Sequence, residues 1–288
     1  MSSARLFQIR CLPQPPLHRL GIIAGNGVYP QLLADSARKA GVKRIIAAAF
    51  TGETDPKLAQ HVDLIEWMRV GQLNRLLKFF RAQDVHDAIM AGQIAPKNLF
   101  DLRPDWKALM LLGKLKQRNA ESIFAAIADE LANVDVNLLP ATTFLEDSLA
   151  PLGLIAGPKL SRQEQDDVDL GWKIAKEIAR LDIGQTIVVK NGTVVAVEAL
   201  EGTNDAIRRG GALAREGAIM VKVAKPQQDM RFDVPVIGLE TIRIAAEARL
   251  RVIAVEADKT LLLEREPIVE LANRSNISII GRQLQLVP

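Results

Sequence analysis

The chain lacks nearly everything that disulfide and soft-metal chemistry requires. One cysteine, Cys11, stands among 288 residues, so neither an intramolecular disulfide nor a cysteine-based metal cluster can form. Three histidines, His18, His61 and His86, lie far apart without ligand spacing, which speaks against zinc. A metal here would be a hard cation held by carboxylates and phosphate. No run of about 18 apolar residues occurs, so no segment reads as a membrane span. The formal charge of +3 is too small to point to nucleic acid. Neither a repeat of fixed period nor a low-complexity tract is present. Residues 1–18 carry Arg5 and Arg10 but no long apolar core ahead of Pro13, so they do not resemble a secretory signal. They are expected to form a tail or leader on a cytoplasmic protein.

What is present is the composition of a globular protein, with 48% hydrophobic and 25% charged residues. The length suits two domains. Short apolar strands are expected at 20–24, 44–50, 62–67 and 87–92. Helices of apolar periodicity are expected between them, at 29–40 and 70–83. Strands alternating with helices imply a parallel sheet, and this half is read as Rossmann-like over 19–150. Two helices are expected within 104–134, separated at Arg118 and Asn119, with a returning strand at 136–139. Loop-rich residues 140–158 read as the connection to a second α/β domain, 151–288. That half opens with Ser161 and Glu164 in capping-box spacing before a helix to about Leu181. Asn191-Gly192 between β-rich runs at 186–190 and 193–199 is a hairpin signal, because both turn positions need positive φ. A helix at 204–216, a strand at 218–223, a helix at 239–250, strands at 251–256 and 260–264, a helix at 267–274 and a strand at 277–280 complete a second, mixed sheet.

Three stretches could carry chemistry. Gly25-Asn26-Gly27 lies between a strand and a helix, where backbone N–H groups can cradle phosphate. The dinucleotide pattern wants a third glycine where Pro30 stands. Glu198 to Asp205 gathers two carboxylates, Gly202, Thr203 and Asn204 at another strand-to-helix junction, where α/β proteins collect ligands; helix capping by Thr203 or Asn204 remains the plainer alternative. Lys225 to Pro235 is a polar segment between apolar strands, pinned by two prolines. Its Lys225 and Arg231 suit phosphate oxygens, and its Asp229 and Asp233 could hold a cation or orient a water. An exposed loop with incidental charge is the competing reading. A diphosphate hydrolase needs such a set: cations to neutralise phosphoryl charge and a carboxylate to activate water.

Taken together, Leu20 to Pro30, Leu181 to Val189, the Asn-Gly hairpin, Ala196 to Thr203 and Lys225 to Gly238 resemble, in order, the motifs of the LpxI family of UDP-2,3-diacylglucosamine pyrophosphatases. The likeness runs over roughly 19–281 and is densest over 181–238. It implies two domains with a lipid-nucleotide site in the cleft between them, magnesium, and hydrolysis of UDP-2,3-diacylglucosamine to lipid X and UMP for lipid A synthesis. It implies Asp233 as the catalytic aspartate of an Arg-x-Asp-x-Pro motif, and Thr203 and Lys225 at positions facing the ligand. The full ligand-facing set expected is Gly25, Asn26, Gly27, Gln185, Glu201, Gly202, Thr203, Asn204, Lys225, Gln228 and Arg231. Asp229 and Asp233 are the expected metal ligands. One departure stands out: Asn204 replaces the aspartate expected after Gly202-Thr203, with Asp205 one position later, which puts the metal site rather than the fold in question.

The acyl chains need apolar surface. Residues 106–116 bring five apolar residues together at 108–112, with Lys107, Lys114 and Arg118 near one face, suited to acyl chains or to a peripheral contact at the inner membrane; a helix buried on two sides reads at least as well. A homodimer stays open as well. Two alternatives to the hydrolase also remain: a binding protein of the same fold without turnover, which Asn204 keeps alive, and a nicotinamide oxidoreductase, which Pro30 opposes.

Overall fold

The computed structural model describes residues 17–94, 104–115, 120–226 and 228–283. Cys11, nearly all of the expected tail, Arg118, Asn119 and Gln227 lie outside the described residues. The chain is α/β and builds two main sheets. The first takes β1 (Arg19–Ala24), β2 (Arg44–Phe50), β3 (Leu64–Met68), β4 (Asp87–Ala91) and β5 (Asn137–Leu138), all parallel, in the order β3-β2-β1-β4-β5. Their near-continuous apolar runs reflect burial on both faces. On one face α1 (Tyr29–Lys39) packs Leu33, Ala34 and Ala37 against Ile22 and Ile45. On the other lie α2 (Leu73–Ala82), α3 (Trp106–Lys114) and α4 (Ala120–Ala132), around Phe80, Leu111 and Leu131.

The second sheet has six strands, ordered β6-β13-β11-β9-β7-β8. These are β6 (Gly153–Ala156), β7 (Thr186–Lys190), β8 (Thr193–Val197), β9 (Ile219–Lys222), β11 (Val252–Glu256) and β13 (Ser278–Arg282). The central β13, β11 and β9 are parallel, and β6, β7 and β8 run antiparallel to their neighbours, so the sheet is mixed as expected. Helix α5 (Arg162–Arg180) covers one face with Val168, Trp172 and Ala175. Helices α6 (Thr203–Ala214), α7 (Leu239–Glu247) and α8 (Arg265–Arg274) cover the other. Side chains alternate along β9: Ile219 and Val221 join the α5 face, whereas Met220 joins the α6 face. Lys222 follows Met220 by two residues and therefore shares its face.

Local chemistry explains the elements that match expectation. Asn191 and Gly192 both have positive φ, at 49° and 72°, and close the β7–β8 hairpin. Ser161 and Glu164 form the reciprocal capping box, with Ser161 N–H donating to Glu164 Oε2 at 2.6 Å and Glu164 N–H to Ser161 Oγ at 3.3 Å. Ser161→Ala should therefore lower stability by about 1 kcal/mol, read as a shift in the urea midpoint at unchanged slope; no shift would show the cap to be redundant.

Two expectations need correction. The strand expected at 260–264 does not enter the main sheet. Its Leu261–Leu262 core (β12) pairs with β10 (Val236–Ile237) in a separate two-stranded ribbon. Leu261 and Leu263 then insert into the α1-side core of the first sheet, so tertiary burial elsewhere overrides local strand character. The loop-rich stretch 140–158, where the sequence marks no strand, contributes β6 on the sheet edge, with Gly281 opposite Gly153. A Cβ at Gly281 would meet Pro151 O, so only glycine permits that approach.

The halves also touch through the segment between β9 and β10. Ala141 N–H donates to Met230 O at 2.7 Å, while Tyr29 Oη donates to Ala141 O. Phe124 of α4 stacks on Phe232, with ring centroids 5.7 Å apart.

Candidate functional site

The polar segment 224–235 leaves the end of β9 and is tied at both ends. At its root, Ala224 N–H donates to Glu256 Oε2 at 2.8 Å and Lys176 Nζ donates to Ala224 O at 2.9 Å. Glu256, 3% exposed, also binds Lys176 and Lys259. Burial alone would raise its carboxyl, but the Lys176, Lys259 and Ala224 hydrogen bonds hold it below its usual range. Burial in turn draws Lys176 below its ordinary value despite Glu256. At the far end, Asp233 N–H donates to Asp229 O at 3.0 Å, winding the segment into a turn just before Pro235.

The turn brings Asp233 beside the Lys225 ammonium and within the electrostatic reach of Lys222. Lys225 Nζ lies 3.7 Å from Asp233 Oδ2, 2.5 Å from Asp182 Oδ1 and 3.9 Å from Glu121 Oε2. Burial pushes the Asp233 carboxyl above its usual range, opposed by Lys225 and Lys222, and Asp182 adds to the rise. Lys222 is buried, which pulls its ammonium down against the attraction of Glu198 and Asp233. A half-buried carboxylate of raised basicity, flanked by cations, has the electrostatics of a general base in an anion site.

Behind Asp233 runs a buried chain of polar groups. Lys222 Nζ donates to Thr203 Oγ1 at 2.7 Å, and Thr203 Oγ1 donates to Glu198 Oε1 at 2.9 Å. Thr186 Oγ1 stands 3.4 Å from Thr203 Oγ1. A hydroxyl has one donor and two acceptor sites, so Thr203 is fully engaged by the protein.

The remaining expected residues divide. Lys225 and Asp233 come together. Gln185 Oε1 is buried without a hydrogen-bond partner among the described residues, an acceptor that burial makes costly to leave unused; the Gln228 side chain faces Asp233 and opposes the rise of its carboxyl, while Gln228 Oε1 accepts from Lys225 N–H at 2.5 Å. Asp229, expected as a metal ligand with Asp233, is gripped by Arg231 through Nε at 3.0 Å and Nη2 at 2.7 Å, which gives Arg231 a carboxylate partner of its own. Glu201 turns to Arg209 at 2.6 Å, and its carboxyl lies below its usual range, held first by its own backbone N–H. Asn204 Oδ1 accepts from Thr241 Oγ1 of α7 at 3.3 Å, and Asp205 pairs with Arg208. Gly202, at φ 86°, makes the entry to α6.

The Gly25-Asn26-Gly27 loop is not an open cradle. Gly25 N–H donates to Ala91 O at 2.8 Å and Asn26 N–H to Gln93 O at 2.7 Å. A Cβ at Gly25 would strike the Gly92 backbone, so that glycine serves loop–loop contact. Gly27, at φ 90° with open space around it, is the one position of the three free of such packing. The loop connects to the 224–235 segment through Tyr29, Ala141 and Met230.

Sequence reasoning missed Lys222, Asp182 and Glu121. Lys222 lies inside the strand expected at 218–223; its signal is a charged residue on the inward face of an otherwise apolar run.

Among the described residues, no grouping of three or more His, Cys, Asp or Glu is arranged to hold a metal ion. No helix among them is long and apolar enough to cross a membrane.

The family model of the LpxI N-terminal domain matches residues 19–148, and that of the LpxI C-terminal domain matches 151–280. A Caulobacter vibrioides protein named UDP-2,3-diacylglucosamine pyrophosphatase LpxI is 29% identical over 276 residues, covering 92% of this chain and 98% of its own. Among solved structures, the biotin carboxylase domain of Hydrogenobacter thermophilus 2-oxoglutarate carboxylase is 11% identical at a TM-score of 0.26, over 61% of this chain and 35% of that one. The biotin carboxylase subunit of a pyruvate carboxylase is 11% identical at 0.27, over 69% and 42%. Superpositions this loose carry no argument.

Proposed function

The chain belongs to the LpxI family, and from that premise we propose that it hydrolyses the pyrophosphate bond of UDP-2,3-diacylglucosamine, giving UMP and lipid X, with Asp233 activating the water. The observation that carries this reading is the placement of Asp233: half-buried, raised in basicity by burial, 3.7 Å from Lys225 Nζ and within the electrostatic reach of Lys222. In the step, the water oxygen bonds to a phosphorus, Asp233 takes a water proton, and the bridging P–O bond breaks. The bridging electron pair leaves on the other phosphate. Lysine charge beside Asp233 offsets the negative charge that builds on the phosphoryl oxygens.

The first sheet's order supports reading 19–150 as a Rossmann-like domain, followed by a C-terminal domain from 151. The ligand would lie in a cleft where the 224–235 segment meets α4 through Lys225, Glu121, Phe124 and Phe232. The unpartnered Oε1 of Gln185 supports a role in holding it, Gln228 supports a role beside Asp233, and Gly27 supports contact by the first loop. Exposed Trp106, Leu109 and Met110 on α3 support a contact with the membrane surface from which a diacylated substrate comes.

Magnesium fits these residues in one mode. With Asp229 bound to Arg231, Asp233 would hold it together with oxygens of the diphosphate, as this hard ion is commonly bound. When bound it would neutralise diphosphate charge. The purified chain with UDP-2,3-diacylglucosamine and magnesium should release UMP and lipid X in equal amounts, stop when a chelator is added, and resume when magnesium returns. Binding without UMP release would contradict the reading, and full turnover under chelation would remove the metal from it.

A further inference from the structure

Lys222 is the least explained charge in the molecule. It is 6% exposed, and an ammonium carries three N–H donors. Thr203 Oγ1 takes one of them and is its sole hydrogen-bond partner among the described residues. Thr203 has nothing more to give, because Glu198 takes its proton and Thr186 stands at its other acceptor site. The two carboxylates that attract Lys222, Glu198 and Asp233, lie at longer range than a direct ion pair. A desolvated cation with so little direct compensation is costly to maintain. Nothing in the packing of β9 requires it, since Met220 fills the same face two residues earlier with a purely apolar side chain.

The neighbouring lysine is in the opposite condition. Lys225 has three carboxylates within 4 Å, Asp182, Asp233 and Glu121, so its charge is largely consumed within the protein. Lys222 keeps two donors unspent, sits at the end of a central strand, and is pinned through Thr203 to the start of α6. A fixed donor in a water-poor site costs no reorganisation during reaction and acts with little screening.

We propose that Lys222 is a further catalytic residue, whose two remaining N–H groups bind oxygens of the phosphoryl group attacked beside Asp233. Thr203 and Glu198 are its positioning residues: Thr203 fixes the ammonium's direction, and Glu198 keeps it charged through the Thr203 hydroxyl. This inference rests on the diphosphate reading of the Asp233 site.

The test is steady-state turnover of UDP-2,3-diacylglucosamine by the full chain carrying Lys222→Met, Lys222→Arg or the pair Lys222→Met/Glu198→Gln. Removing Lys222 alone leaves Glu198 buried without its cation; the double variant removes both charges, so it keeps the question open to measurement if the single variant unfolds. Folded Lys222→Met and the double variant should lose about 10²- to 10³-fold in kcat with KM changed by less than about threefold, the signature of a contact made in the transition state. Lys222→Arg, which keeps a cation, should recover part of that loss. A folded Lys222→Met or double variant with kcat within about threefold of the parent would overturn the proposal and leave Lys222 as a counter-ion to Glu198. A rise in KM at unchanged kcat would overturn it equally. A parent chain that releases no UMP would instead sink the functional reading beneath it.

Discussion

Asp233→Asn should leave the fold and substrate binding in place and reduce turnover by roughly 10²- to 10⁴-fold, the usual contribution of a positioned general base. The amide matches the carboxylate in size, and the backbone bond from Asp233 N–H to Asp229 O does not involve the side chain. The turn of the 224–235 segment should therefore persist. The amide has no basicity to accept a water proton, and it is a weaker ligand for any cation brought with the diphosphate. Losing the negative charge beside Lys222 and Lys225 leaves two less-compensated ammonium groups facing an anionic substrate. The dissociation constant of UDP-2,3-diacylglucosamine should stay the same or fall, and binding and turnover measured on one preparation separate the two effects. Unchanged turnover would take Asp233 out of the mechanism.

The second large effect lies away from the chemistry. Glu256→Ala removes the acceptor that Lys176, Lys259 and Ala224 N–H share. Lys176 is then left half-buried under Trp172 with only the Ala224 carbonyl. Breaking a buried pair from one side costs about 3–5 kcal/mol, a large part of the stability of an ordinary domain. The loss also releases the root of the segment carrying Lys225 and Asp233, so turnover should fall in whatever fraction remains folded. Urea unfolding measures the first effect, and kcat per folded molecule the second. A destabilisation below about 1 kcal/mol would show that Lys176 finds another partner at little cost.

Most of the architecture is legible in the sequence because local chemistry declares it. The capping box at Ser161 and the Asn191-Gly192 hairpin each need residue types that serve few other purposes. The parallel core strands show as unbroken apolar runs. Leu261–Leu262 misleads because two residues of strand cannot reveal which sheet they join, and its partner Val236–Ile237 lies across a helix and another strand.

The candidate site is legible only where its residues are contiguous. Lys225 to Pro235 stands out as polar sequence between apolar strands, and Asp233 and Lys225 do meet there. Asp182 and Glu121 reach Lys225 from far along the chain, and no local pattern announces such a contact. Thr203 and Asn204 mark the right junction, but only the geometry shows their polar groups turned inward, towards Lys222, Glu198 and Thr241. Lys222 is hidden by its strand. Asn204, the departure from the family motif, accepts from Thr241, and Asp205 pairs with Arg208.

The most direct measurement is the structure of the Asp233→Asn chain with UDP-2,3-diacylglucosamine bound. The account predicts a phosphorus of the diphosphate beside residue 233, with phosphoryl oxygens reaching Lys222. A diphosphate seated elsewhere, with residue 233 turned to solvent, would contradict it.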